Sequence, residues 1–177
     1  PEAVEDIIMG CGNPEGAQGH NVGRNAAVLS NLPITTGGTT INRYCSSGMQ
    51  SISMAASQIM AGCYDTVIAG GAETISMMQG KQNMDNFVNE RLAEKSPGIY
   101  YPMGMTAEVV AKRYNVSREA QDEYAFESQM RTAAAQQAGA YDDEIIPMET
   151  KMLLMNKETG DSKEIDYCVE KDECNRP

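Results

Sequence analysis

Apolar residues in this chain alternate between short unbroken runs and a three- to four-residue spacing, and the two patterns predict different elements. Asp6-Ile7-Ile8-Met9 predicts a strand, and the glycine-rich residues 10–19 a loop. Residues 21–31 have helical composition and stop at Leu32-Pro33. Thr39-Thr40-Ile41-Asn42 predicts a second strand. Behind it Met49, Ile52, Ala55, Ala56, Ile59 and Met60 recur at helical spacing, giving a helix over 48–61 that Gly62 stops. Residues 66–71 read as a buried strand, apolar and flanked by glycine. Strand, helix, strand at these intervals implies a parallel, right-handed α/β crossover.

The pattern changes after Thr74. Residues 75–102, rich in Met, Gln and Asn, show little periodicity and read as irregular. A helix is expected over 106–114. Ser117 is placed to cap a longer one, with Phe126, Met130, Ala133, Ala134 and Ala138 on one face and Gly139 at its end. Glu144-Ile145-Ile146-Pro147 and residues 151–155, parted from residues 162–169 by Asn156-Lys157-Glu158-Thr159-Gly160-Asp161, predict a hairpin.

Charge and composition narrow the chemistry. A net charge of −11 argues against nucleic acid or an anionic membrane surface as the main partner. No run of about 18 apolar residues is present for membrane insertion. Five cysteines without a Cys-x-x-Cys pair, beside one histidine, fit neither a zinc site nor a closed disulfide framework, so no metal is expected. Reduced thiols make a cytoplasmic location the default, with a mitochondrial or peroxisomal one open for a eukaryotic chain. Most of the thirteen methionines read as core filling.

Among the cysteines, Cys45 stands apart. It falls between the strand at 39–42 and the helix at 48–61, beside the helix's free N–H groups and positive dipole end, and both features stabilise a thiolate. Free cysteines are usually inert, buried side chains, so the turn alone leaves two readings open. Cys63, Cys168 and Cys174 have no such setting and receive no catalytic role.

The flanking residues decide between them. Asn42-Arg43-Tyr44-Cys45-Ser46-Ser47-Gly48-Met49-Gln50 resembles the nucleophile motif of the thiolases, acyl-CoA C-acyltransferases that cleave or make 3-ketoacyl-CoA. Gly70-Gly71-Ala72-Glu73-Thr74-Ile75-Ser76-Met77, Met103-Gly104-Met105-Thr106-Ala107-Glu108 and Ser117-Arg118-Glu119-Ala120-Gln121-Asp122 resemble further stretches of that family. Residues 10–19 and Asn21-Val22-Gly23-Arg24 are similar to its degradative members. Pro102, ahead of Met103-Gly104, departs from the histidine common in short-chain biosynthetic members and favours the degradative class.

The resemblance implies a layered α/β/α/β/α fold built from two similar halves. Residues 1–76 would form part of the N-terminal core domain, and 77–177 a loop domain over the CoA and acyl site. It implies Cys45 as the nucleophile that carries an acyl-thioester, and Met103 as a residue lining the acyl or pantetheine pocket. Acyl-CoA and CoA would be substrates rather than resident cofactors, and the working form a homodimer or tetramer. The family's basic histidine and second cysteine come from its C-terminal half. His20, the single histidine, matches no catalytic position and reads as a loop residue. The chain is therefore expected to be an N-terminal half, inactive alone. Contacts to CoA are unassigned, although Arg91, Lys95, Lys112 and Arg113 could offset its phosphates. The alternatives are a biosynthetic acetyl-CoA acetyltransferase, a decarboxylating condensing enzyme such as a ketoacyl synthase, and a non-catalytic lipid-binding or assembly subunit with the same fold.

Overall fold

The computed structural model describes residues 1–176. Ile7 and Ile8 mark its first core. Successive strand residues face opposite sides, yet these two are 4% and 1% exposed, so both faces of their strand are covered. That strand, β1 (Asp6–Gly10), is the centre of a three-stranded parallel sheet with β2 (Thr39–Ile41) and β3 (Val67–Gly71) at its sides. Ile8 pairs with Thr39 on one side and Ala69 on the other. Parallel neighbours require crossovers, and two helices supply them. These are α1 (Val22–Leu29), between β1 and β2, and α2 (Ser47–Met60), between β2 and β3. The α/β class and parallel pairing are those the residue pattern predicts.

The buried face of α2 is not the one its large residues mark. Ser47, Ser51 and Ala55 are buried, whereas Met49, Ile52, Ile59 and Met60 are exposed. The chain as a whole exposes 14146 Å². Two separate compact units of half its mass would expose about 10,000 Å². The excess includes the outward apolar side of α2.

Residues 75–102 are not wholly irregular: they contain α3 (Ile75–Met78) and α4 (Glu90–Lys95), both too short for periodicity to reveal. The chain divides into two compact units, Pro1–Asn89 and the residues from Glu90 onward. The boundary between these compact units lies after Asn89. Met78, 1% exposed, sits against Gly16, and the Asn83 N–H donates to the Glu15 carboxylate at 3.0 Å, so this segment belongs with the first unit.

In the second unit α5 (Met103–Tyr114) begins three residues ahead of the expected Thr106 and ends at Asn115, left-handed with φ 54°. Ser117 caps α6 (Arg118–Gln137), its hydroxyl accepting from the Ala120 N–H at 3.2 Å. Of the expected apolar face of α6, Ala133 is buried while Phe126 and Met130 are exposed. β4 (Met148–Met155) and β5 (Ser162–Val169) form the predicted antiparallel hairpin, with residues 144–147 outside it. No helix among the described residues is long and apolar enough to cross a membrane.

Candidate active site

Three side-chain bonds shape the turn after β2. The Tyr44 N–H donates to the Asn42 carboxamide oxygen at 2.8 Å. The Ser47 hydroxyl accepts from the Arg43 N–H at 2.9 Å and donates to the Tyr44 carbonyl at 2.6 Å. Arg43 also bonds the Gln50 carboxamide along the first turn of α2. Between these anchors Tyr44 takes a left-handed φ of 47°, a conformation costing a non-glycine residue about 1–3 kcal/mol that persists only where its surroundings over-determine it. The residue after this strained position is Cys45.

Cys45 is exposed and lines a cleft of about 430 Å³ in the first unit. Gly10, at the end of β1, and Gly71, at the end of β3, line the same cleft with Gly48, Glu73 and Ile75. The cleft therefore opens at the carboxyl edge of the parallel sheet, where α/β sheets place their ligand crevices. Gly10, Gly48 and Gly71 contribute only backbone to this lining.

The remaining cysteines differ. Cys11 is buried, and that burial pushes its thiol pKa up, with the nearby Glu73 charge adding to the rise and a backbone bond at Asn13 opposing it. It is held as a neutral thiol. Cys63 and Cys174 are exposed and Cys168 half-buried. His20 is exposed in its loop with φ 60°. Met103, the first residue of α5, is exposed and belongs to the second unit, so it and Cys45 lie on separate bodies. Among the described residues no group of three His, Cys, Asp or Glu side chains could hold a metal ion. A roomier cleft of about 670 Å³ in the second unit, between the end of α6 and residues 170–175, is lined by neither cysteine nor histidine.

Sequence reasoning gave Glu73 no role. It lines the cleft, accepts from the Gly12 N–H at 2.6 Å and bonds the Gln18 carboxamide. Its signal was an acidic residue just past the Gly-Gly end of an apolar strand, the edge where such sheets build sites.

Fold and cleft together define an α/β protein that presents an accessible thiol from a strained turn at the carboxyl edge of a parallel sheet. The family model described as thiolase, N-terminal domain, matches residues 1–176, and the chain belongs to this family. It is 48% identical over 157 residues to a 3-ketoacyl-CoA thiolase of Bacillus subtilis (strain 168), covering 88% of this chain and 39% of that protein. It is 40% identical over 161 residues to an acetyl-CoA acetyltransferase of Chromobacterium violaceum, covering 84% of this chain and 40% of that protein. With the peroxisomal 3-ketoacyl-CoA thiolase 2 of Arabidopsis thaliana the identity is 39% over 172 residues, covering 96% of this chain and 36% of that protein. The chain thus spans roughly two fifths of the length of these curated relatives.

Proposed function

We propose that the protein carrying this chain is a thiolase that passes acyl groups between acyl-CoA and CoA through a thioester on Cys45. The observation that carries this reading is the placement of Cys45, exposed in an open cleft on a strained turn whose residues match the family's nucleophile motif. The Cys45 thiolate attacks the keto carbon of a 3-ketoacyl-CoA. The bond between that carbon and its α-carbon breaks, and acetyl-CoA departs as an enolate that takes up a proton. The acyl group stays on sulfur. A CoA thiol then gives its proton to a base, attacks the thioester and releases Cys45 as thiolate. Run in reverse, the same steps condense two acyl-CoA molecules.

The family resemblance assigns the base to a histidine and the enolate proton to a second cysteine, both outside these residues. Met103 is proposed to line the acyl or pantetheine pocket, and the working form to be a homodimer or tetramer in the cytoplasm. Pro102 and the similarity to 3-ketoacyl-CoA thiolases support a degradative substrate range.

The test uses the full-length protein. Cys45→Ala is expected to abolish CoA-dependent cleavage of acetoacetyl-CoA. Peptide mass spectrometry after quenching the parent with substrate is expected to find an acetyl group on Cys45. Cleavage that survives the substitution overturns the reading, and malonyl-dependent condensation in its place favours a ketoacyl synthase.

A further inference from the structure

Along the lining of the cleft, the loop after β1 is fastened to the end of β3 by two side chains distant in sequence. Gln18, 5% exposed, accepts from the Thr74 N–H at 2.7 Å and donates to the Asn13 carbonyl at 2.7 Å and to the Glu73 carboxylate. The other Glu73 oxygen accepts from the Gly12 N–H at 2.6 Å, and the Cys11 thiol lies 3.9 Å from the carboxylate. Bonds to a carboxylate are the stronger, charge-assisted kind, so Glu73 draws both Gly12 and Gln18 toward itself.

Gly12 transmits this to the nucleophile turn. A Cβ built on Gly12 would lie 2.8 Å from Glu73 Oε2 and 3.4 Å from the Tyr44 carbonyl oxygen. The Gly12 backbone, bonded to the carboxylate, therefore lies beside the peptide that precedes Cys45, at about van der Waals range of where a Cβ would stand. That peptide belongs to the residue with the left-handed φ, and strain of this kind relaxes unless neighbours oppose it. On one side the turn is held by its own Asn42 and Ser47 bonds, and on the other it meets Gly12.

We propose that Glu73, clasped by Gln18, is a positioning residue for Cys45: it seats Gly12 against the Tyr44 carbonyl and so sets the turn that aims the thiol into the cleft. This rests on the reading of Cys45 as acyl acceptor. Glu73 touches no reacting atom in this account. Its carboxylate fixes the direction of the sulfur and leaves the chemistry to Cys45.

Glu73→Gln in the full-length protein keeps the shape of the side chain but replaces one accepting oxygen with a donor, so either Gly12 or Gln18 loses its bond. Misplacement of a reacting group by about an ångström costs up to roughly a hundred-fold in rate. The expected result is a kcat for acetoacetyl-CoA cleavage lowered about ten- to a hundred-fold, with KM, the melting temperature and the rate of Cys45 alkylation by iodoacetamide near those of the parent. Gln18→Leu releases the clasp from its other end and gives an independent reading should Glu73→Gln not fold. Because both act through one clasp, the double variant is expected to be no slower than the worse single variant.

Unchanged kcat in both single variants overturns the proposal. So does a kcat loss that tracks the loss of folded protein, an equal loss of alkylation rate, or losses that add in the double variant. Cys45→Ala separates the two readings. If it still turns over, the assignment of the nucleophile fails; if it is dead while Glu73→Gln is fully active, only the positioning role fails.

Discussion

Gly10, the last residue of β1, lies directly against the backbone of Ser47, the first residue of α2: a Cβ on Gly10 would stand 2.3 Å from the Ser47 carbonyl carbon and 2.4 Å from its oxygen. The central strand and the nucleophile helix are thus in backbone contact at the site. Gly10→Ala must push the first turn of α2 outward. Overpacking typically costs about 1–3 kcal/mol, and a lower urea midpoint together with weaker acetoacetyl-CoA cleavage is the expected outcome. A variant of parental stability would show that α2 can shift freely.

Ser47 serves the turn by both accepting from Arg43 and donating to Tyr44. Ser47→Ala removes both bonds and leaves the Arg43 N–H without that acceptor. Losses of this sort cost about 1–3 kcal/mol. Activity is expected to fall about ten-fold or more, because the sulfur loses its direction. Thermal melts and steady-state kinetics on the same sample check the two effects separately.

Cys11 sets a pH dependence of stability. Its folded pKa lies above the ordinary thiol value of 9.0, chiefly through burial. The folded state therefore keeps the proton where the unfolded state loses it. The contribution is complete below about pH 9 and declines as pH rises through the folded pKa. Compared with Cys11→Ala, the parent is expected to lose its stability advantage above pH 9, measured as urea midpoints from pH 7 to 10. A gap that stays constant or widens would contradict this sign.

The second unit offers a test independent of the cleft. Ser117 caps α6 through the Ala120 N–H, and removing such a cap costs about 0.5–2 kcal/mol. Ser117→Ala is expected to destabilise the protein by that amount, while hydrogen exchange rises at the start of α6 and the first unit is unaffected. Ser117→Asp should recover most of the loss, since a carboxylate can accept the same bond at the positive end of the helix.

Much of the first unit was legible in the residue pattern because its signals are local. A three-residue apolar run, Ile7-Ile8-Met9, before a glycine-rich loop marks β1, and the helical spacing behind Cys45 marks α2. Cys45 stands out for the same reason, since strand, turn and helix are contiguous in the chain and the residues around it form one motif. Ser117 and Gly139 declared the ends of α6 through cap chemistry that acts within one turn. The short α3 and α4 were missed because four and six residues hold too few turns to show a period.

The sequence by itself determined the longer elements, their order, a thiol at the strand-to-helix turn and the family. Tertiary structure alone decided which faces meet. Periodicity groups Met49, Ile52, Ile59 and Met60 on α2, yet Ser51, fully buried with its hydroxyl 2.8 Å from the Gly70 carbonyl, faces the sheet while Ile52 is 61% exposed. The reason is steric: at Gly10 the strand backbone lies so close to the first turn of α2 that only small residues fit beneath it there. Glu73 and Gln18 stand 55 residues apart and become partners only because β3 pairs with β1 in register. Such a contact follows from topology, and no local pattern in either segment contains it.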